Sequence, residues 1–220
     1  MGLNISKGNM YEWVTHTWNA IKGECPHGCT YCYVKRWGKQ PDLHFDEKEL
    51  KTDLGQGNTI FVGSSCDMFA EGILYEWIIR TIDHLNKFNN TYLFQSKNPK
   101  WFDVLAIRDV KKFILCTTIE TNRVYPDIMK HAPDPIVRAF DFGKIPIKEK
   151  YITIEPIMDF DHDSLVELIK YCRPLQVNIG ADSGRNGLPE PSRRKILELM
   201  EDLDQYTVVK EKKNLKRLLT

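Results

Sequence analysis

Three cysteines crowd into the eight residues CPHGCTYC, at Cys25, Cys29 and Cys32. Thiolates are soft ligands that select zinc, copper(I) or iron–sulfur clusters. The chain has only six cysteines in all, so the cluster points to metal in a reducing compartment rather than to a disulfide framework. Pro26, His27, Gly28 and Thr30 make the stretch a loop instead of a packed apolar face, which argues against three inert core thiols. Two donor chemistries stay open. Zinc would complete a tetrahedron with His27, His16 or His44, although structural zinc usually draws on two paired knuckles and no second pair follows here. A four-iron cluster held by three thiolates would keep one iron free to bind something else.

Such a loop needs a scaffold. β-rich runs from Asn58 to Gly63, Thr91 to Ser96, Lys112 to Thr118, Tyr151 to Glu155 and Leu175 to Gly180 alternate with helical patterns. One apolar stripe is Leu74, Trp77, Ile78, Ile82 and Leu85. A second, Leu165, Leu168, Ile169 and Cys172, stands behind a capping box at Ser164 and Glu167, and a third, Ile196, Leu199, Met200 and Leu203, follows Ser192. Strand–helix alternation of this length means parallel strands with right-handed crossovers. Ile152 and Ile154 alternate with Tyr151, Thr153 and Glu155, and Val177 and Ile179 with Gln176 and Asn178. Helices on both faces of an open sheet would demand strands apolar throughout. The polar face therefore suits a barrel interior whose mouth, at the C-terminal strand ends, holds a ligand. With a first strand around Trp18-Asn19-Ala20-Ile21 the count is six, plus a candidate seventh from Tyr206 to Val209. The expectation is an α/β fold, a partial (β/α)6 TIM-like barrel, laterally open, in a single domain over residues 1–220. The cysteine loop, following the first strand, then lies at the mouth.

A content of 42% hydrophobic and 28% charged residues suits an ordinary globular core. No apolar run approaches the roughly 20 residues of a membrane span, and the N-terminus lacks the basic-then-apolar order of a secretory signal. A cytoplasmic protein without a membrane partner is expected. Met1 to Ser6 fits the short myristoylation pattern, but one acyl chain anchors weakly. A net charge of +1 offers no global field for a polyanion, so nucleic-acid contact would need a local patch. The run Lys210, Lys212, Lys213, Lys216 and Arg217 is a candidate, with a solvated helix face as the plainer reading. Cys172, on an apolar stripe, and Cys116, deep on the lumen face, read as core residues.

The spacing C-x3-C-x2-C, with Tyr31 before the third cysteine, resembles the signature of the radical SAM superfamily. FVGSSCDMF (61–69), LFQSKNPKWF (93–102), CTTIETN (116–122), ITIEP (152–156) and IGADSGRNG (179–187) resemble an uncharacterised phage-type radical SAM family. That family is similar to the DNA-photolyase-like, spore-photoproduct-lyase group. The resemblance implies that Cys25, Cys29 and Cys32 ligate three irons of a 4Fe-4S cluster while S-adenosylmethionine chelates the fourth. Reductive cleavage of that cofactor would yield a 5′-deoxyadenosyl radical that abstracts hydrogen. The resemblance further implies an electron donor such as flavodoxin or ferredoxin, and a nucleobase or nucleic-acid lesion as substrate. Radical modification of a peptide or small metabolite, or a non-catalytic zinc-stabilised nucleic-acid-binding module, are the alternatives.

Residue roles follow from strand arithmetic and resemblance together. Tyr31 lends its backbone to the adenine edge, and Ser65 joins the cofactor contacts. Lys97 shares parity with Gln95 and is costly to bury alone; it resembles the lysine that meets the cofactor carboxylate, with a structural ion pair as the alternative. Thr118 and Glu120 point inward, where ribose hydroxyls and the cofactor amine are met. Glu155 and Asp182 are lumen-facing carboxylates for cofactor or substrate, or else ion-pair partners of Lys97 or Arg123. In the photoproduct lyases the hydrogen-donating cysteine aligns with Ser64, whose O–H bond is too strong to give up hydrogen readily. A cofactor-contacting serine aligns with Cys66. Strand residues two apart share a face, so Cys66 is the catalytic candidate as substitute donor, with plain cofactor contact or a packed thiol as the alternatives.

Overall fold

The structure, a computed structural model, describes residues 2–103, 107 and 109–220. Among them the main sheet has eight strands. β1 (Asn4–Ile5) lies antiparallel on β2 (His16–Trp18), and β2 pairs in parallel with β5 (Thr59–Val62). From there β6 (Thr91–Ser96), β7 (Phe113–Thr118), β8 (Lys150–Ile154), β9 (Gln176–Ile179) and β10 (Val208–Glu211) add in chain order, each parallel to the last. β1 and β10 end the sheet on opposite edges, so the wall stays open. The partial barrel expected from the sequence is present, with the candidate seventh parallel strand included among the described residues. β3 (Ile21–Lys22) and β4 (His44–Phe45) form a separate antiparallel ribbon.

Three local expectations shift for identifiable reasons. The first strand stops at Trp18 because the Asn19 side chain turns to accept from the Ser65 N–H at 2.9 Å, and Ile21 belongs to the ribbon. The last strand starts at Val208, two residues late, because the N–H groups of Tyr206 and Thr207 close the preceding helix on the Leu203 carbonyl at 3.2 and 3.1 Å. Helix His162–Cys172 begins before Ser164, so the capping box does not form. Asp161 holds the N-cap position without capping, its carboxylate taken by Arg123 Nε and Nη2 at 3.1 and 2.6 Å. Ser192 does cap helix Arg193–Asp204, accepting from the Lys195 N–H. Helices Pro126–Met129 and Pro135–Lys144, absent from the sequence reading, both open on proline, which the first turn tolerates.

The two sheet faces divide as the alternation requires. Leu115, Ile152, Ile154, Val177 and Ile179 bury against helical Ile78, Ile82, Leu165, Ile169 and Leu199. Cys172 is fully buried there, its thiol on the Ala139 carbonyl at 3.3 Å. On the inner face Phe61, Leu93 and Cys116 meet Tyr11 and Val14 of the N-terminal segment, which plugs the lumen. Trp13 stacks on Tyr11 and meets Tyr151 edge-on, both at 5.3 Å. The plug fills the bottom of the barrel and leaves the C-terminal mouth free. No helix among the described residues is long and apolar enough to cross a membrane.

Helix Arg193–Asp204 provides a test of this packing, because Leu199 is 0% exposed and Leu197 is 38% exposed. Leu199→Ala is expected to lower unfolding stability by about 2–5 kcal/mol, whereas Leu197→Ala should cost less than about 1 kcal/mol. Urea titrations of the two variants check the difference.

Candidate functional site at the barrel mouth

The ribbon of β3 and β4 ties off the segment that carries the cysteines. Gly23 (φ +98°) turns out of β3 so closely against the Asp42 carbonyl that a Cβ would stand 2.4 Å from its oxygen, and the Glu24 N–H meets the Pro41 carbonyl at 2.9 Å. Inside the loop, the Gly28 N–H bonds the Cys25 carbonyl and the Cys32 N–H the Cys29 carbonyl, at 3.0 and 3.3 Å. Helix Pro126–Met129 supports the loop from outside: the Thr30 N–H reaches the Ile128 carbonyl at 2.9 Å, and the Cys29 thiol the Met129 carbonyl at 3.6 Å. His27 fastens the other flank, its Nε2 lying 2.7 Å from Asp67 Oδ2.

Cys25, Cys29 and Cys32 all line one cavity of about 1090 Å³ at the C-terminal ends of the strands. All are free thiols, Cys29 buried and the other two half-buried. Among the described residues no three of His, Cys, Asp and Glu converge as the donors of a single ion do. A four-iron cluster takes each of its protein thiolates on a different iron, so its ligands stand apart while facing a shared space. Three thiol donors lining one cavity suit that donor set.

Asp67 gathers the surroundings. Besides His27 it accepts from Ser96 Oγ and the Lys97 N–H, both at 2.9 Å, and from the Phe69 N–H at 2.9 Å. Burial opposes its charge, but His27 and these donors hold its carboxyl below the usual range. Burial likewise pulls His27 down, and the Asp67 carboxylate outweighs it to leave the imidazole raised. A hydrogen bond with Cys66 holds the Cys25 thiol down at about 6, and the same bond pushes Cys66 up. Burial raises the Cys29 and Cys32 thiols.

Glu120 is the second gathering point. It is 0% exposed, receives Arg138 Nη1 on Oε2 at 2.6 Å, and takes both Lys97 Nζ and the Tyr31 hydroxyl on Oε1. Burial would raise its carboxyl, yet Arg138 and Lys97 prevail and bring it to about 2. Lys97 Nζ also lies 5.1 Å from the centre of the Tyr31 ring.

The other sequence candidates can now be placed. Tyr31, Ser65, Cys66, Lys97, Thr118, Glu155 and Asp182 line the cavity; Glu120 lies behind them, under Lys97 and Tyr31. Thr118 Oγ1 accepts from Gln95 Nε2 at 3.3 Å. Neither Glu155 nor Asp182 pairs with Lys97 or Arg123. Glu155 takes Lys212 Nζ at 2.5 Å, Asn9 Nδ2 at 2.6 Å and Asn214 Nδ2 at 2.8 Å, while Asp182 accepts from the Gly184 N–H at 2.9 Å and Asn186 Nδ2 at 2.7 Å in its own turn. Arg123 serves Asp159 and Asp161 instead. Of the C-terminal basic run, Lys212 turns inward to Glu155 and Arg217 pairs with Glu190, while Lys210, Lys213 and Lys216 are exposed.

Cys66 reaches the cavity by another route than strand parity. β5 ends at Val62 and Gly63 turns with φ +78°, so residues 64–66 are no longer extended. The turn nonetheless puts Cys66, 2% exposed, against Cys25, while Ser64 Oγ sits 3.3 Å from Asn19 Oδ1. Asp67, Asn19 and Arg138 escaped the sequence reading. Asp67 had a signal in its position beside Cys66 at a strand end; Arg138, in a helix nearly twenty residues from its partner, had none.

No protein-family model matches the sequence, and neither does any curated protein. Solved structures do share the fold. A spore photoproduct lyase with one cysteine replaced by serine aligns with a TM-score of 0.62 at 12% identity, over 94% of this chain and 79% of that one. A doubly substituted spore photoproduct lyase with bound AdoMet and dinucleoside spore photoproduct gives 0.57 at 12% identity, over 94% and 80%. Spore photoproduct lyase complexed with dinucleoside spore photoproduct gives 0.58 at 11% identity, over 93% and 78%. At these identities the likeness shows the fold.

The Glu120 arrangement makes a pH-dependent prediction. Its folded-state carboxyl, at about 2, lies below the ordinary 4.5. Its contribution is thus complete above pH 4.5 and lost as pH falls toward 2, on the order of 3 kcal/mol in all. Glu120→Gln leaves the Arg138 guanidinium buried without its anion and should cost about 3–5 kcal/mol at neutral pH. The gap between parent and variant should shrink between pH 4.5 and 2, measured by urea unfolding across that range.

Proposed function

We propose that this chain is a radical SAM enzyme of the phage-type branch, acting on a nucleobase or nucleic-acid lesion. The observation that carries the reading is the placement of Cys25, Cys29 and Cys32, in C-x3-C-x2-C spacing, on one cavity at the C-terminal mouth of a parallel partial barrel. Mouths of this kind are where such folds build their active sites. Neighbours in fold hold AdoMet and a dinucleoside lesion, and a cavity of about 1090 Å³ has room for a cofactor beside part of a substrate.

The three thiolates would hold a 4Fe-4S cluster, with S-adenosylmethionine as co-substrate. That pair supplies one-electron reductive cleavage of the sulfonium, and hence hydrogen abstraction, with the electron coming from a flavodoxin- or ferredoxin-type donor. The protein's own share is positioning and exclusion. Lys97, a cation on the cavity wall beside Tyr31, would meet the cofactor carboxylate, with Glu120 and Tyr31 holding its ammonium from behind. Tyr31 and Ser65 offer backbone groups, Thr118 a hydroxyl, and Glu155 and Asp182 carboxylate edges. Tyr11 and Trp13 close the lumen from below and keep bulk water from entering there. Cys66, the thiol beside the cysteine loop and outside the ligand motif, is assigned to hydrogen transfer with the substrate.

Anaerobic reconstitution with iron and sulfide tests the reading. The parent chain should take up about four irons with matching acid-labile sulfide and, once reduced, cleave S-adenosylmethionine. Cys29→Ala should lose both. Zinc without sulfide in the parent, or full iron in the variant, would overturn the ligand assignment. Cys66→Ala should keep iron content and cofactor cleavage while shifting the product distribution on substrate; an unchanged distribution, read by mass spectrometry, removes Cys66 from the chemistry.

A further inference from the structure

The rim of the cavity carries groups that the cysteine chemistry does not use. Directly after Cys32 the chain makes a 3-10 turn, Tyr33–Trp37, and every residue from Tyr33 to Gln40 lines the mouth. Buried Val34 pins the turn, and Gly38 (φ +91°) ends it with its N–H on the Lys35 carbonyl at 3.2 Å. The remaining side chains are thereby turned outward. Trp37 is 64% exposed and braced edge-on by Tyr33, ring centres 5.5 Å apart and planes at 82°. One edge of its indole is thus fixed while much of the ring stays in water.

Lys35, Arg36 and Lys39 flank Trp37 in sequence and line the same mouth. Among the described residues none of the three forms an ion pair, and Lys35 Nζ rests on the Gly28 carbonyl at 3.0 Å. Lys7 lines the same mouth. Of the acids in the lining, Asp67, Glu155 and Asp182 are hydrogen-bonded within the fold, which leaves Glu24 as the exposed one. The rim thus sets Lys7, Lys35, Arg36 and Lys39 beside one exposed carboxylate, a local positive field.

We propose that the rim binds unpaired nucleic acid, with Trp37 stacking on a base while Lys35, Arg36 and Lys39 hold the adjoining phosphates and lead the strand to the cavity. The inference rests on the nucleic-acid reading above and adds the surface that recognises it. Interleaved cations and one exposed, braced aromatic suit a chain of alternating phosphates and π-faces. An acidic peptide would engage the cations and leave Trp37 without a partner. A duplex keeps its base faces inside the stack, so an unpaired strand is the form that satisfies both kinds of group.

Fluorescence anisotropy on the full chain, with labelled oligothymidylate and oligouridylate of about 12 nucleotides, is the test, with a duplex and polyglutamate as competitors. Single strands should bind, and comparison of the two oligonucleotides tells DNA from RNA. Trp37→Ala should weaken binding on the order of tenfold to a hundredfold with an unchanged unfolding midpoint. The Arg36→Gln/Lys39→Gln double variant should reduce the slope of log affinity against log salt by roughly 1.4. Equal affinity in Trp37→Ala, or competition by duplex or polyglutamate as strong as by single strands, would overturn the proposal. Binding needs no metal, so iron content after reconstitution separates the two readings. A chain that loads iron but binds indifferently to Trp37 loses the rim alone, and one that binds through Trp37 but takes up no iron loses the enzyme alone.

Discussion

A carboxylate with no access to water organises the mouth of this barrel. Taking Glu120 into the interior would cost several kcal/mol were it unpaired, and two cations make its ionised form the stable one. Each donor comes from a different part of the chain: Arg138 from helix Pro135–Lys144, Lys97 from the end of β6, Tyr31 from the cysteine loop. Satisfying one buried charge thus fixes three elements against the end of β7. Asp67 repeats the device on the other flank, joining His27 of the loop to Ser96 and the Lys97 backbone. Lys97 is held by both, through its main chain by one carboxylate and through its ammonium by the other, which explains how a long flexible side chain keeps a defined position on the wall.

On the far side of the mouth the N-terminal segment and the segment after β10 meet at Glu155. Asn9 from the N-terminal segment and Lys212 and Asn214 from beyond β10 converge on Glu155, and Asn9 Oδ1 takes the Asn214 N–H at 3.1 Å. The approach is tight: a Cβ on Gly180 would stand 2.7 Å from Glu155 Oε1 and 2.9 Å from Asn214 Oδ1. An open sheet leaves its edges unpaired. Here side-chain bonds from both termini bridge toward the gap that backbone pairing leaves, and the lumen below is filled by Tyr11 and Trp13.

What was legible in the sequence was what repeats or clusters. The alternation of Ile152 and Ile154 with Thr153 placed the inner and outer faces correctly because burial on one side of a pleated strand imposes a period of two. The cysteine loop was legible because three soft ligands in eight positions have few other uses. Parity failed as an argument only beyond strand ends, at Gly63, where a left-handed turn resets the direction of every following side chain. Ser164 failed for a different reason. A capping box is a local pattern, and the position it needed went to Asp161 through a long-range pair with Arg123. Arg138 left no local trace at all, because its role is set by a partner across the fold rather than by its neighbours in sequence.

The thiol beside the loop follows from the same geometry. Ser64 and Cys66 are separated by one residue, yet the turn at Gly63 sends them to different partners: Ser64 bonds Asn19 through its hydroxyl and Tyr33 through its carbonyl, while Cys66 meets Cys25. The side chain at position 64 stands against Asn19. At position 66 the thiol stands on the loop side, against Cys25, with the residue 2% exposed. A cysteine at 66 and a serine at 64 therefore set the S–H group beside the cysteine loop and the hydroxyl beside Asn19.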